Sequence, residues 1–233
     1  MDMEKCSWEF NESVAKDFDN HVSASVPGYE WFHDYIVRLA EFYIEDDGAI
    51  LDIGCSTGTL LRDIKCKLPN RDFYMYGVDK SSAMIDIAKS NVQNLKSNFF
   101  TGDIIEFFDM TDDRAKLSFI TIVLTLQFLS YDDRLKVLKA CHYRLKDGGA
   151  VVVVEKIIQE DGHMQSMFDG IYQEMKFENG LSKESLFDKT LSLRGKMKPL
   201  YSIENEELFS RCGFDYVPFM QIGCFKGWIL RKE

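Results

Sequence analysis

From residue 49 onwards, short apolar runs alternate along the chain with segments of helical period. The runs at 49–53, 73–79, 98–104, 116–124 and 150–155 have the length of buried strands. Amphipathic segments separate them, and strands that alternate with helices are typical of a parallel sheet with helices on both faces. The pattern predicts an α/β protein with a Rossmann-like, doubly wound sheet.

The second half of the chain adds helices and a terminal hairpin. Residues 132–145 have one apolar face and predict a helix, which residues 146–149 end with two glycines. Helices are also predicted at 164–177 and 183–193, separated by Asn179-Gly180, and at 203–212 behind Ser202 as its cap, with Asn205 and Glu206 following. Runs at 214–220 and 225–230 predict a hairpin, which gives a seven-stranded sheet with strands 6 and 7 at the C-terminus. We expect a single domain, 1–233, with a helical insertion at 157–200.

Residues 1–48 precede the first strand and show helical spacing twice. The first apolar series is Trp8, Phe10, Val14 and Phe18, and the second is Trp31, Tyr35, Leu39 and Phe42, with a turn at 23–29 between them. One interpretation is a helical cap on the sheet. The other, which we favour, is a lid with Tyr29 reaching into a ligand site, because ligands of such sheets bind at the carboxyl ends of the strands.

Composition narrows the classes of function. A net charge of −10 argues against a nucleic-acid surface, which needs a basic patch. No apolar run approaches the ~20 residues of a membrane span, and the N-terminus has no signal-peptide pattern. The six cysteines form no C-x-x-C pair, so we expect reduced thiols in a cytoplasmic protein and no metal site.

The first strand leads into a turn of small residues, 54–58, and a helix that starts at Thr59. Strand, glycine turn and helix form the nucleotide-binding opening of a doubly wound fold. Gly54 lets the backbone turn sharply, and Gly58 is expected to leave room for a ligand against the chain. A third glycine, which dinucleotide-binding turns carry, is missing, and this argues against NAD.

Two acids follow the next two strands. Asp79 ends the second strand, 25 residues after Gly54, where a carboxylate accepts hydrogen bonds from both ribose hydroxyls of an adenosine. Asp103 ends the third unit and is placed to take the adenine amino group. Three spaced signals therefore predict an adenosine-containing ligand.

The series Asp52-x-Gly54-x-Ser56-x-Gly58 resembles the first motif of class I methyltransferases, which use S-adenosylmethionine. The resemblance implies that Asp52 orders the turn and that the backbone of Gly54, Cys55 and Ser56 lines the cofactor. It makes the whole chain one methyltransferase domain, with S-adenosyl-L-methionine as its cofactor.

Nearly the whole chain is similar to one subfamily, the carboxy-S-adenosylmethionine synthases. The matching stretches are Trp8-x-Phe10 with Val14, Ala15 and Phe18, then 25–29, 52–56, 83–85, 102–104, 125–129, 148–150 and Glu155-Lys156. The resemblance implies cofactor contacts from Tyr29, Gly54, Cys55, Ser56, Asp79, Lys80, Asp103 and Ile104, to which we add Asp52, Gly58 and Leu124.

Two departures from the subfamily concern polar anchors. In the synthases, an arginine in the helix after the Asn-Gly stop pairs with an extra carboxylate on the modified cofactor. Here Thr190 or Leu191 stands at that place, with Arg194 about one turn further on, and Val123 replaces an asparagine. Neither Thr190 nor Leu191 can pair bidentately with a carboxylate, so we expect an ordinary methyltransferase on this scaffold.

Methyl transfer from a sulfonium is an in-line displacement that depends mainly on positioning and on exclusion of water. Where the acceptor needs a general base, the candidates are Glu155, at the end of strand five, and His163, in the insertion. Each has a structural alternative: Glu155 as a partner of Lys156 or a helix end, and His163 as a solvated residue.

Three functions stay open at this point. The first is methyl transfer to a small-molecule or peptide acceptor, without nucleic acid or membrane. The second is synthesis of carboxy-S-adenosylmethionine by carboxyl transfer from prephenate, and the third is cofactor binding without catalysis. The insertion is also typical of a substrate wall or a dimer contact, so a homodimer is possible.

Overall fold

The computed structural model describes residues 17–93, 95–111 and 116–232. The predictions for Trp8, Phe10, Val14 and Ala15 lie outside these residues. The helices are α1 (Phe18–Ser25), α2 (Tyr29–Ala40), α3 (Thr59–Lys67), α4 (Ser82–Asn91), α5 (Ile104–Met110), α6 (Tyr131–Arg144), α7 (Gly162–Glu178), α8 (Lys183–Leu193) and α9 (Ser202–Arg211). The strands are β1 (Ala49–Ile53), β2 (Tyr74–Asp79), β3 (Ser97–Thr101), β4 (Leu117–Val123), β5 (Leu145–Ile158), β6 (Leu200–Tyr201), β7 (Asp215–Ile222) and β8 (Phe225–Arg231).

The sheet has the strand order β3-β2-β1-β4-β5-β8-β7. Strands β1 to β5 are parallel, whereas β8 runs antiparallel to β5 and forms the terminal hairpin with β7. The two residues of β6, which the sequence did not predict as a strand, pair with the end of β5. The α/β fold and the hairpin are confirmed, and the order reverses between β1 and β4, where doubly wound sheets bind ligands.

Helices cover both faces of the sheet. Helices α5, α6 and α9 bury apolar side chains in one core, and α1, α2 and α3 bury theirs in the other. All five residues of β1 are buried, as expected for a central strand between two helical layers. The continuous apolar run at 49–53 therefore marks the middle of the molecule.

Helix α2 buries a different face from the one that the sequence suggested. Trp31 is 54 % exposed and Phe42 is 82 % exposed. The buried face consists of Phe32, Ile36, Val37 and Ala40. The exposed series and the buried series both have helical spacing, and they are offset by one residue. Periodicity alone therefore could not show which series is buried. The outer aromatics form a stack instead, from Trp31 to Tyr35 and from Tyr35 to Phe219 on β7, with ring centroids 5.4 and 5.1 Å apart.

The glycines at 148 and 149 do not end α6 as expected, because the helix ends at Arg144 and β5 begins directly after it. The pairing of β4 with β5 jumps from Leu117↔Leu145 to Phe119↔Ala150, so the glycines lie in an irregularity of the strand. Arg144, the last residue of α6, binds the end of α5: its guanidinium donates hydrogen bonds to the carbonyls of Phe108 and Thr111 at 2.6 and 2.8 Å.

Helix α9 is capped by a residue other than the expected Ser202. The carboxylate of Glu204 accepts a hydrogen bond from the backbone N–H of Tyr201 at 2.9 Å. The Ser202 hydroxyl instead donates to Glu206 at 2.9 Å. Among the described residues, no helix is long and apolar enough to cross a membrane.

Candidate functional site

A cavity of about 1470 Å³ opens at the carboxyl ends of β1, β2 and β4. Helices α1 and α2 border it on one side, and α7 and α8 of the insertion border it on another. Pockets for single small ligands usually measure about 300–1,000 Å³. The cavity therefore has room for an adenosine-sized ligand and a second molecule.

Residues 54–58 make the sharp turn expected of them. Gly54 has a φ of +75°, and Ser56 also has a positive φ, of +49°. The N–H groups of Gly54 and Cys55 both donate to the Val78 carbonyl, at 2.8 and 3.0 Å, which ties the turn to the end of β2. A side chain at Gly54 has no room, because its Cβ would lie 2.2 Å from the Thr125 hydroxyl oxygen.

Gly58 does not line the cavity, contrary to the expectation that it leaves room for a ligand. Its φ is +70°, and a Cβ there would lie 2.9 Å from the Cβ of Ala88 on α4. The missing side chain thus lets α3 and α4 approach each other. This glycine serves helix contact, whereas Gly54 serves the cavity.

Asp79 lies at the cavity end of β2. Its carboxylate accepts hydrogen bonds from the N–H groups of Ser56 and Ser81, at 3.0 and 2.9 Å. Burial raises its pKa, and these hydrogen bonds oppose that shift. An ionised carboxylate has about four lone-pair sites, so Asp79 keeps acceptor capacity for hydroxyl groups of a ligand.

Asp103 does not line the cavity, although Gly102 and Ile104 on either side of it do. One carboxylate oxygen pairs with Lys80 at 2.8 Å, and the other accepts the N–H of Ile105 at 2.8 Å as the cap of α5. Burial opposes ionisation, but the contact with Lys80 lowers the pKa of Asp103. Each oxygen thus already has one partner in the protein, and the contact of Asp103 with an adenine amino group stays a prediction.

Asp52 lines the cavity and is only 3 % exposed. Its carboxylate accepts a hydrogen bond from the Thr121 hydroxyl at 2.6 Å. Burial raises its pKa to about 7, and Thr121 opposes this shift. The amides of the turn bond to Val78 rather than to Asp52, so the carboxylate ties β1 to β4 and does not order the turn directly.

Helix α1 contacts the turn at 54–58 and the start of α3, which the sequence did not predict. The two oxygens of Asp19 accept hydrogen bonds from the hydroxyls of Thr57 and Thr59, at 2.7 and 2.8 Å. Tyr29, at the start of α2, lines the cavity, and burial raises the pKa of its phenol. Residues 17–48 therefore border the ligand space, and the expectation for Tyr29 agrees with its position.

The remaining cofactor candidates all border the ligand space. Cys55, Lys80, Ile104 and Leu124 all line the cavity. Leu124 has a φ of +54°, unusual for a leucine, at the point where β4 turns away from the sheet. Such strain often accompanies a ligand site, and no sequence pattern announces it for this residue type.

Glu155 lies on β5, 1 % exposed, and does not line the cavity. Its carboxylate accepts the N–H groups of Thr125, Leu126 and Gln127 at 3.1, 2.8 and 2.7 Å. Burial raises its pKa to about 7, while Arg134 and these N–H groups favour the charged form. Glu155 thus holds the turn after β4 in place, and it has no path to an acceptor in the cavity.

His163 lies exposed in the first turn of α7, away from the cavity. The structure places neither base candidate next to the ligand space. The insertion contributes other residues to the wall, among them Lys176, Lys189, Thr190 and Arg194. The hydroxyl of Thr190 donates to its own helix at the Leu186 carbonyl, 2.8 Å away.

The insertion also touches α1 over the cavity. The side-chain amide of Asn179 donates to the Ala24 carbonyl at 3.0 Å. The ammonium of Lys189 donates to Nε2 of His21. Burial, and then Lys189, lowers the pKa of His21 to about 4, so His21 is a neutral acceptor near pH 7. Among the described residues, no group of His, Cys, Asp and Glu has the arrangement of a metal site.

Comparisons with known proteins agree with this geometry. Residues 50–149 match the family model described as a methyltransferase domain. A protein of Staphylococcus epidermidis named carboxy-S-adenosyl-L-methionine synthase is 33 % identical, covering 89 % of this chain and 89 % of its own. One of Yersinia pseudotuberculosis, named carboxy-S-adenosyl-L-methionine synthase 1, is 32 % identical, covering 97 % and 94 %. The plantazolicin methyltransferase BpumL, solved in complex with a monoazolic desmethylPZN analogue and SAH, has the same fold, with a TM-score of 0.63, 18 % identity and 95 % of each chain covered.

Proposed function

Since the chain belongs to the class I S-adenosylmethionine-dependent methyltransferases, close to their carboxy-S-adenosylmethionine synthase subfamily, we propose that it transfers a methyl group from S-adenosylmethionine to a small-molecule or peptide acceptor. The observation that carries the proposal is one cavity whose two sides are built by different parts of the chain. One part has the glycine turn and Asp79, and the other is walled by the insertion and has space for an acceptor.

The residues present fit the cofactor. Gly54 leaves a backbone surface without a side chain, and Asp79 offers carboxylate oxygens at the end of β2. Met84, Ile104 and Leu124 supply apolar surface for a flat ring system. We assign cofactor contacts to these residues together with Tyr29, Asp52, Cys55, Ser56 and Lys80. When bound, S-adenosylmethionine supplies an activated methyl group on a sulfonium.

The protein's own contribution is to position the acceptor and exclude water. Helices α1, α7 and α8 cover the cavity, and Glu155 fixes the turn that borders both halves. Because Glu155 and His163 do not reach the cavity, we propose an acceptor whose attacking atom needs no carboxylate base from this chain. Positioning supplies most of the rate in such a reaction.

The synthase activity is the second candidate, favoured by the names and the identity of the relatives. Against it stands the place where the subfamily has an arginine, because Thr190 or Leu191 occupies that place here, and Thr190 lies on the cavity wall. The hydroxyl of Thr190 is already engaged with its helix, so it offers no strong pair for a carboxylate.

The nucleoside that co-purifies with the protein tests the proposal. The chain is expressed and denatured, and the released small molecules are identified by mass spectrometry. We expect S-adenosylmethionine or S-adenosylhomocysteine, followed by methyl transfer to an acceptor in a pool of small molecules and peptides. Carboxylated S-adenosylmethionine would reject methyl transfer in favour of the synthase. Bound cofactor without any methylated product would support a non-catalytic protein.

We also propose a homodimer in the cytoplasm. The face of α7 that points outwards carries Met164, Met167 and Ile171, each at least 38 % exposed and one or two turns apart. The described cysteines are all free, which suits a reducing compartment. Light scattering should give a dimer for the wild type and a monomer for Ile171→Lys, and a wild-type monomer would contradict the assembly.

A further inference from the structure

Three lysines meet on the wall of the cavity that the insertion builds. Lys156 comes from the end of β5, Lys176 from α7 and Lys189 from α8, and all three line the cavity. The protein as a whole is acidic, with a net charge of −10. A concentration of positive charge inside its main cavity therefore runs against the composition of the chain.

Lys176 is the most enclosed of the three. Its side chain is buried, with a relative exposure of 8 % for the residue. The ammonium lies 3.6 Å from the ring centroid of Tyr172, and the ammonium of Lys156 lies 5.0 Å from the same centroid. No ion pair among the described residues includes Lys156 or Lys176. An aromatic face stabilises each ammonium charge less than water would.

One carboxylate on the same wall, Asp169, forms no ion pair with Lys156 or Lys176 in the part of the chain that the structure describes. Its Oδ2 accepts a hydrogen bond from the side-chain amide of Gln165 at 2.8 Å. Burial, and then the charges of Lys189 and Lys156, lower the pKa of Lys176 to about 7, and Asp169 only weakly opposes this. Burial likewise lowers the pKa of Lys189 to about 8. The cluster thus holds positive charge at an electrostatic cost.

The cofactor of the proposed reaction makes this cost greater. A sulfonium is a cation, and in a cavity of low dielectric it repels neighbouring ammonium groups strongly. A negative group between them would relieve both repulsions at once. Buried cations in proteins are usually paired, and within the described residues neither Lys156 nor Lys176 forms an ion pair.

We propose that the acceptor carries an anionic group, a carboxylate or a phosphate, which binds between Lys176 and Lys189 and orients the acceptor towards the cofactor half of the cavity. This inference rests on the proposed methyl transfer. It assigns the wall formed by α7 and α8 to recognition of charge, and the space next to Tyr172 and Phe225 to the rest of the acceptor. Lys156 contributes its field from the end of β5.

The test uses the full chain and four variants. Lys176→Gln and Lys189→Gln remove a charge from the cluster, and Lys176→Arg keeps it. Lys183→Gln is the matched control, because Lys183 begins α8 but is exposed and does not line the cavity. Circular dichroism melting identifies any variant that fails to fold. Titration calorimetry then measures binding of S-adenosylhomocysteine, and of inorganic phosphate, 4-hydroxyphenylacetate and its neutral amide, each with and without S-adenosylhomocysteine.

We expect at least one anion to bind the wild type and the Lys183→Gln control equally. Lys176→Gln and Lys189→Gln should each weaken it by about tenfold or more, with Lys176→Arg closer to the wild type. Tighter binding of phosphate than of the carboxylate, or the reverse, identifies the source of the negative charge. The amide should bind far more weakly than the acid.

The proposal is overturned when neither anion distinguishes the wild type from Lys176→Gln, or when the acid binds and its neutral amide binds equally well. Absence of S-adenosylhomocysteine binding would instead contradict the proposed function. Because the anions are also titrated without the nucleoside, the two failures can be told apart.

Discussion

The two halves of the cavity are built by different means. The cofactor half consists of strand ends and a backbone turn, in which N–H groups bond to the Val78 carbonyl and to Asp79. The acceptor half consists of side chains from α7 and α8, brought together from positions 13 residues apart, as in Lys176 and Lys189. The first half is acidic and the second basic.

This difference separates what the fold requires from what the substrate requires. The turn at Gly54 and the carboxylate of Asp79 follow from the sheet topology, since a ligand of this fold lies at the switch between β1 and β4. The sheet topology does not require the lysine cluster, because the helices of an insertion can present any side chain to the cavity. Changes in the cofactor half should therefore affect all ligands, and changes in the acceptor half only one.

The largest effect is expected from Gly54→Ala. The added Cβ would lie 2.2 Å from the Thr125 hydroxyl oxygen and would also require a side chain at a φ of +75°. We expect affinity for S-adenosylhomocysteine to fall about 100-fold or more, measured by calorimetry. Gly148→Ala is the control, because its φ is +74° but nothing lies within 4 Å. It should cost about 1–2 kcal/mol of stability from the backbone alone and leave binding intact. Equal loss of binding in both variants would contradict this account.

A second large effect is expected from Glu155→Gln. The amide would face backbone N–H groups with a donor where a carboxylate oxygen accepts now, so unfolding should become easier by about 2 kcal/mol. Thermal melting and calorimetry should show lower stability together with weaker cofactor binding. If Glu155 were the general base, the variant would keep its stability and cofactor affinity and lose only turnover.

A smaller effect concerns pH. The charged and titratable groups that face Lys176 are Lys156, Lys189, Asp169, His21 and Tyr172. Because the pKa of Lys176 is lowered to about 7, its charge is lost above that pH, and anion affinity should fall between pH 6 and 9. Calorimetry should find a flatter profile in Lys176→Gln.

The same lowered pKa has the opposite effect on the stability of the free protein. Between about pH 7 and the ordinary pKa of lysine, the unfolded chain binds more protons at Lys176 than the folded one does. This group therefore makes the folded state more stable as pH rises through that window. Urea unfolding at pH 6.5 and 9, with Lys176→Gln as reference, should reveal the difference, and an identical pH dependence in both proteins would argue against it.

The smallest effect is expected from Asp19→Asn, which weakens the bridge from α1 to Thr57 and Thr59 without removing a lining surface. We expect faster dissociation of S-adenosylhomocysteine, by a few fold, with little change in stability. Stopped-flow measurements would detect it. The variant Asp34→Asn, at an exposed pair on α2, is the control.

Local patterns predicted most of the fold and the cofactor half, because strands, glycine turns and acids after strands leave signals over short stretches. They did not predict which face of α2 is buried, since Trp31 and Phe32 both begin a series of helical spacing. They did not predict the pair of Asp103 with Lys80 or the close approach of Gly58 to Ala88, because both partners come from other parts of the chain. The lysine cluster escaped notice because each lysine alone is typical of a solvated surface.

Helix α1 touches both halves, through Asp19 to the glycine turn and through His21 to Lys189. The position of α1 therefore affects the binding of both the nucleoside and the acceptor. We expect a compulsory order of addition. The nucleoside binds first and fixes the position of α1, and this completes the acceptor site. Product-inhibition patterns should show an ordered sequential mechanism. A random sequential mechanism would show that the acceptor site is complete without the nucleoside.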